Sequence, residues 1–436
     1  MKKMRRFFLF VLCIPFVLPF SAEARVYLDI NAPTFVQIPI VLSKWKSMDR
    51  TPPSLTSRVY EILKSDLTFS GFFRVIDVER LPLSLQKKEG IPTTVVLQEW
   101  MPSGGEILLA GDTALESDGL HLKVRFHLFD LVEQKHLVGK QYEGQIQNLR
   151  AMVHRISDEV VGQLTGEKGV HNTRIAFTQI QGEGKEIFVA DFDGANSKQV
   201  TQNRSINLSP AWSPDGKKIA YTSYLRRNPD LYLVDMDGKN PQRFSDRPGV
   251  NASPSWSPDG KQIALMMAME GKTEIVLMDN NGGNLKRLTR SHGNEASPSW
   301  SPDGKNIAFV SDRSGSPQIY VMTSDGNNVR RLSFDGSYNT NPSWSPKGDR
   351  IAFCARVGGQ FHIVTMTPEG TGLQQLTSSG NNENPSWSPD GRYLAFSSTR
   401  TGGSKIFVMN ANGFNQRPLT SSKGGESNSA WSRRFE

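Results

Sequence analysis

Cysteine is nearly absent from this 436-residue chain, which carries only Cys13 and Cys354. Cys13 falls inside an apolar N-terminal run. A chain that loses that run keeps one thiol, forms no internal disulfide, and has to be held by packed cores. Long hydrophobic runs are missing beyond the N-terminus, and no other stretch approaches the roughly 18 residues of a membrane-spanning helix. There is no Gly-x-Ser-x-Gly elbow, no GxxxxGK[ST] phosphate loop, no HExxH and no CxxC, which argues against hydrolase, nucleotide and zinc-protease chemistry. Histidine is sparse as well. Of seven, only His292 and His362 lie well inside the second half, too few for a histidine-based metal site there.

What is present begins with an export pattern. Residues 1–24, "MKKMRRFFLFVLCIPFVLPFSAEA", combine a basic start, an apolar run from Phe7 to Phe20, and Ala22-Glu23-Ala24 as an A-x-A site. The pattern predicts a secretory signal cut between Ala24 and Arg25. Cys13 sits in mid-run behind Leu12, unlike a lipidation site. Removing this segment takes away Lys2, Lys3, Arg5, Arg6 and Glu23, so the net charge falls from +8 to +5. The basic balance is partly an export signal and points to no nucleic acid. The mature chain is expected outside the cytoplasm with no membrane span of its own.

Residues 25–166 carry no repeat. "RVYLDINAP" alternates Val26, Leu28 and Ile30 against Tyr27, Asp29 and Asn31, the periodicity of a strand. "TFVQIPIVL", "FFRVID", "EILLAGD", "HLKVRFHLFDLV" and "KHLVGKQYEGQI" read as further strands. "SLTSRVYEILKSDL" reads as a helix capped by Ser54. "NLRAMVHRISDEVVGQL" places Leu149, Met152, Val153, Ile156, Val160 and Leu164 on one helical face. The expectation is an α/β N-terminal domain, then a linker at 167–172.

From residue 173 to 436 the chain repeats. Trp212, Trp256, Trp300, Trp344, Trp387 and Trp431 recur every 43 or 44 residues, each but the last opening "WSPDG" or "WSPKG". Several short strands per unit at that period predict an all-β six-bladed β-propeller. The first "IAF" strand precedes the first Trp strand, and the last Trp strand ends the chain. That offset predicts a ring closed by the C-terminal strand, which removes exposed sheet edges. The Ser-Pro-Asp-Gly segments read as hairpin turns and the Trp residues as plates between sheets. Six separated copies cannot form one active site. Arg243, Arg287, Arg331 and Arg417 read as solvated blade rims, and "DMDGKN" lacks most ligands of a calcium loop.

Two polar columns vary less obviously. Asn207, Asn251, Glu295, Asn339, Asn382 and Glu426 stand five residues before their Trp, and Ser209, Ser253, Ser297, Asn341, Asn384 and Asn428 two residues later. In a closed ring both are expected at one mouth of the central channel. They read either as the punctuation that opens a strand or as a hydrogen-bonding socket for a protein or peptide.

An export signal, an α/β domain, the passage "DEVVGQLTGEKGVHNTRIAF" (158–177) and six "SPxWSPDGKxIAF" repeats together resemble the TolB family, soluble periplasmic components of the Tol-Pal system of Gram-negative bacteria. The resemblance implies a non-enzymatic protein that needs no cofactor. It links the outer-membrane lipoprotein Pal, bound at one channel mouth, to inner-membrane TolA, engaged by the mature N-terminal segment. It also implies support for outer-membrane constriction at division and for membrane integrity, with other outer-membrane lipoproteins as further candidate partners. Carried onto this chain, the Pal-facing positions fall in the segments before the Trp strands, among them Asn251, Ser253, Glu295 and Ala296. The TolA-binding segment falls on Arg25, Val26, Tyr27, Leu28, Asp29, Ile30 and Asn31. The competing reading is a propeller-type hydrolase or polysaccharide lyase. The first needs a serine elbow the sequence lacks, the second clustered metal or base residues that His292 and His362 do not supply.

Overall fold

The computed structural model describes residues 36–91, 97–422 and 425–435. The expected cleavage site at Ala22, Ala24 and Arg25 and the segment Arg25–Asn31 lie outside the described residues.

Strands β1 (Ile38–Leu42), β2 (Lys46–Met48), β3 (Phe73–Ile76), β4 (Ile107–Leu115), β5 (His121–Asp130) and β6 (Lys135–Gln145) form one sheet in the order β3-β1-β4-β5-β6, with β2 pairing β4. β1 runs parallel to both neighbours, and β4, β5 and β6 are an antiparallel meander. Alternation dictates the burial on β5, where Leu122, Val124, Phe126 and Leu128 are buried while His121 and His127 face outward. Helices α1 (Pro53–Phe69) and α3 (Leu149–Thr165) cover that buried face, packing Val59, Leu63, Val153, Ile156 and Val160 on Ile40, Leu109 and Phe126. Leu85 of the short helix α2 (Leu83–Gln86), with Leu97 and Trp100, closes the other face over Val41, Leu108 and Phe129. Ser54 does not cap α1. Pro52 takes that position and Pro53 the first helical one, where a missing N–H costs nothing. Gly166, at φ 74°, ends α3 in the left-handed conformation.

Six four-stranded sheets then form the ring. Blade 1 joins the last strand, Glu426–Trp431, to Arg174–Gln181, Gly184–Asp191 and Lys198–Gln199, with Trp431 opposite Ile175. The inner strands of blades 2 to 6 are Asn207–Trp212, Asn251–Trp256, Glu295–Trp300, Asn339–Trp344 and Asn382–Trp387. The turn after each of these five behaves as its residues require. In blade 2, Ser213 Oγ donates to Asp215 Oδ1 at 2.6 Å and accepts from Lys218 N at 2.9 Å, with Gly216 at φ 70°. Where Lys347 replaces the aspartate, Ser345 Oγ turns to Asp349 Oδ1 instead, at 2.9 Å.

The tryptophans stitch blade to blade. Trp212, Trp300 and Trp387 donate their indole N–H to Ala430 O, Ser255 O and Ser343 O of the preceding inner strands, at 3.0, 3.2 and 3.0 Å. A second turn joins the third and fourth strands of each blade, and its glycine has a steric reason too. At Gly238 (φ 85°) a Cβ would stand 2.7 Å from Val200 O of the preceding blade, and at Gly326 (φ 96°) 2.7 Å from Leu288 O.

Candidate functional site: the propeller channel and its open mouth

The inner strands enclose an axial cavity of about 370 Å³. Each strand breaks register at one place, between Leu208 and Ala211 in blade 2 and at the equivalent residues elsewhere. The residues that open these bulges are Ser209, Ser253, Ser297, Asn341, Asn384 and Asn428, all with φ between 50° and 56°. A left-handed residue in a strand tilts its side chain out of the alternating pattern. Here it turns six short polar groups into the channel, half-exposed, as one ring. Buried Pro210, Pro254, Pro298, Pro342 and Pro385 follow, where a bulge leaves no ladder bond for the absent N–H. A second small ring, Ala211, Ser255, Ser299, Ser343, Ser386 and Ala430, lies deeper. Among the described lining residues, Arg433 alone carries charge.

The first polar column does not share this position. Asn207, Asn251, Glu295, Asn339, Asn382 and Glu426 are all buried, so the expectation that both columns converge on the mouth is corrected. Their side chains tie the inner strands to the loop before them and to the preceding blade or the second strand of their own. Asn207 Nδ2 donates to Lys185 O at 2.9 Å and Glu186 Oε2 at 3.0 Å. Asn251 Nδ2 donates to Arg247 O and Gly249 O, and Asn339 Nδ2 to Gln318 Oε1 at 2.8 Å. Asn382 Oδ1 accepts from Arg400 at 2.7 Å, and Glu426 from Thr420. Glu295 Oε1 accepts from Ser291, Ser311 and Arg313, while burial pushes its pKa up. These are latches. Ala296, next in line, is half-buried and packs on the core between blades 4 and 5.

A second buried polar column escaped the reading of the sequence. Glu186, Asp230, Glu274, Gln318 and His362 recur every 44 residues at the start of a blade's third strand. The constant spacing was the available signal. Arg243 and Arg287 are therefore not solvated rims, because they pair with Asp230 and Glu274 at 2.8 and 2.9 Å. Arg417 lies 4.1 Å over the Phe69 ring of α1.

The two mouths differ. On the side where the inner strands end, the α/β domain sits against blades 1 and 6. Tyr393 OH donates to Ser70 O at 2.5 Å, Phe69 meets Phe192 edge-on at 4.8 Å, and Arg392 reaches Glu167 at 2.8 Å. On the side where the inner strands begin, the loops present exposed Ile180, Tyr224, Leu225, Phe334, Tyr338 and Val357 around the Ser/Asn ring. Apolar anchors rimming an uncharged hydrogen-bonding ring suit recognition of a polypeptide. Among the described channel residues no nucleophile is paired with a base.

Two family models match this chain, the TolB β-propeller domain over residues 161–435 and the TolB amino-terminal domain over 26–137. Its relatives include Tol-Pal system protein TolB of Syntrophotalea carbinolica, 37% identical over 217 residues, 49% of each chain. The same protein of Desulfosudis oleivorans is 39% identical over 213 residues, 48% of each. The chain thus spans about half the length of the curated relatives it matches. The crystal structure of TolB from Acinetobacter baumannii superimposes with a TM-score of 0.80 at 28% identity, covering 91% of this chain and 97% of that one.

Proposed function

Because the chain belongs to the TolB family, we propose that it is a non-enzymatic periplasmic scaffold of the Tol-Pal system that receives the lipoprotein Pal at the open channel mouth and TolA through Arg25–Asn31. Held between an outer-membrane and an inner-membrane partner, it would couple the two membranes during constriction and keep the outer one intact. The observation that carries this reading is the ring of Ser209, Ser253, Ser297, Asn341, Asn384 and Asn428 at a mouth the α/β domain leaves open. It offers hydrogen bonds without charge, rimmed by the exposed Phe334 and Tyr338, as a peptide-bearing surface requires.

The test is titration of purified Pal into the mature chain and into a Ser253→Arg, Ser297→Arg double variant. The substitutions narrow the mouth and leave the buried latches and tryptophans untouched. Pal affinity is expected to fall at least tenfold with the melting temperature kept within a few degrees. Undiminished affinity in a folded double variant would move the interface elsewhere.

A further inference from the structure

The junction between the α/β domain and blade 1 buries an unusual set of ionisable groups. Phe192, in the turn after the third strand of blade 1, meets the rings of His154 and His171 edge-on at 5.1 and 5.0 Å. Asp66 Oδ2 accepts from His154 Nδ1 at 2.8 Å and from Ser157 Oγ at 2.7 Å. Among the described residues, Asp66 Oδ1 and His154 Nε2 have no hydrogen-bond partner, although Asp66 is 0% and His154 3% exposed. Asp66, His154 and Asp193 each bring one donor atom within 4.8 Å of the others.

With Nδ1–H given to a carboxylate, the neutral imidazole keeps its lone pair on Nε2. That is how an outer carboxylate orients a metal-binding histidine. A buried lone pair without a partner is costly, and a cation would satisfy it. The local charge points the same way. Asp66, Asp158, Asp191 and Asp193 face Arg150, which bonds Asp191 and Asp193, and His171, whose two ring nitrogens meet Asp158 Oδ1 and Asp66 O. Asp193 accepts from Arg150 through Oδ2 and from Ala195 N through Oδ1, which leaves carboxylate lone pairs for a further bond.

We propose that this junction is a divalent transition-metal site, in which His154 Nε2 and the Asp193 carboxylate ligate the ion and Asp66 orients the imidazole and accepts from an ion-bound water. An imidazole–carboxylate pair favours Zn²⁺ over Ca²⁺ or Mg²⁺. The ligands come from α3 and from blade 1, so the ion joins the two domains, on the side of the ring away from the open mouth.

The experiment titrates Zn²⁺ into the chelator-stripped mature chain by calorimetry, with the histidine side chains followed by nitrogen-15 NMR. One ion is expected, with a shift at His154 Nε2, a raised melting temperature, and no competition from equimolar Ca²⁺. Asp193→Asn and His154→Gln should each weaken Zn²⁺ at least tenfold and abolish the melting shift. Asp193 is a partly exposed turn residue, so its variant keeps the test open if His154→Gln folds poorly. The exposed pair His127 and His136, 3.0 Å apart, is the competing zinc ligand set. Zn²⁺ retained by both junction variants and lost in His127→Gln would overturn the proposal. So would a His154 that is an imidazolium with no response to Zn²⁺.

Discussion

The indole N–H of Trp431 donates to the hydroxyl of Thr173 at 2.8 Å, joining residues 258 apart in the chain. Ser432 N donates to Arg174 O at 2.8 Å and Phe435 N to Asn172 O at 3.0 Å, so the last residues sew the ring shut on both sides of this bond. Phe435 then stands edge-on to Trp212 at 6.0 Å, reaching blade 2.

Closure is therefore expected to dominate stability. Deleting 429–436 removes half of the inner strand of blade 1, with Trp431, and should lower the melting temperature sharply. Trp431→Ala should cost about 3–5 kcal/mol through the cavity it leaves. Trp256→Ala should cost less, since that ring is half-buried and its indole N–H has no partner among the described residues. Urea unfolding of the two variants gives the ranking. Equal losses would mean that the tryptophans act as interchangeable plates and that closure adds nothing.

The latches make a second expectation. Asn251→Leu keeps the volume but strands Ser245 Oγ, Arg247 O and Gly249 O, which the carboxamide now satisfies. A loss of about 1–3 kcal/mol follows for buried groups left unpaired. Pal affinity of the folded fraction should stay unchanged, because the side chain does not reach the channel. A variant with native stability and lost affinity would place Asn251 in the interface after all.

The ring was legible because its signals are local and repeated six times. A turn needs its Pro and Gly, and a sheet interface needs its Trp, whatever surrounds them. The two polar columns were not separable in the same way. Asn251 and Ser253 stand two residues apart and would face the same side of a regular strand, which is why both were expected at the mouth. The bulge at Ser253, φ 53°, breaks that alternation, sending one side chain inward to the loop and the other to the channel. A left-handed serine leaves no trace in composition. Nor did the junction charges, since Asp66, His154 and Asp193 are scattered along the chain and meet only in the folded protein.

His171 makes the domain junction sensitive to pH. Burial opposes its charge, but the hydrogen bond and charge of Asp158, with smaller help from Asp66, raise its pKa from 6.5 to about 9. A raised histidine contributes stability that is complete below its unfolded value and is lost as pH rises through the folded one. Asp158, whose burial is outweighed by bonds from His171 and Asn172, is held low and loses its contribution only as pH falls through that low value. The melting temperature of the intact chain should thus fall between pH 6.5 and 9 relative to a His171→Gln variant. Parallel pH profiles for the two would show that the ring is neutral in the folded protein.

The last expectation concerns Arg25–Asn31. Its alternation of Val26, Leu28 and Ile30 suits a strand that lies on its own domain or one that pairs with a partner's sheet edge. If the segment is the TolA-binding element, deleting 25–31 should abolish TolA binding while Pal affinity and the melting temperature stay as they are. The reason is spatial separation: the Ser/Asn ring is built by the inner strands of the propeller, and the described core of the α/β domain draws on residues from Ile38 onward. Substituting Val26, Leu28 and Ile30 with Asp would remove the apolar face and keep the length, so it should reproduce the deletion. Tight TolA binding by both variants would make the segment an ordinary strand and move the TolA surface to the remainder of the chain.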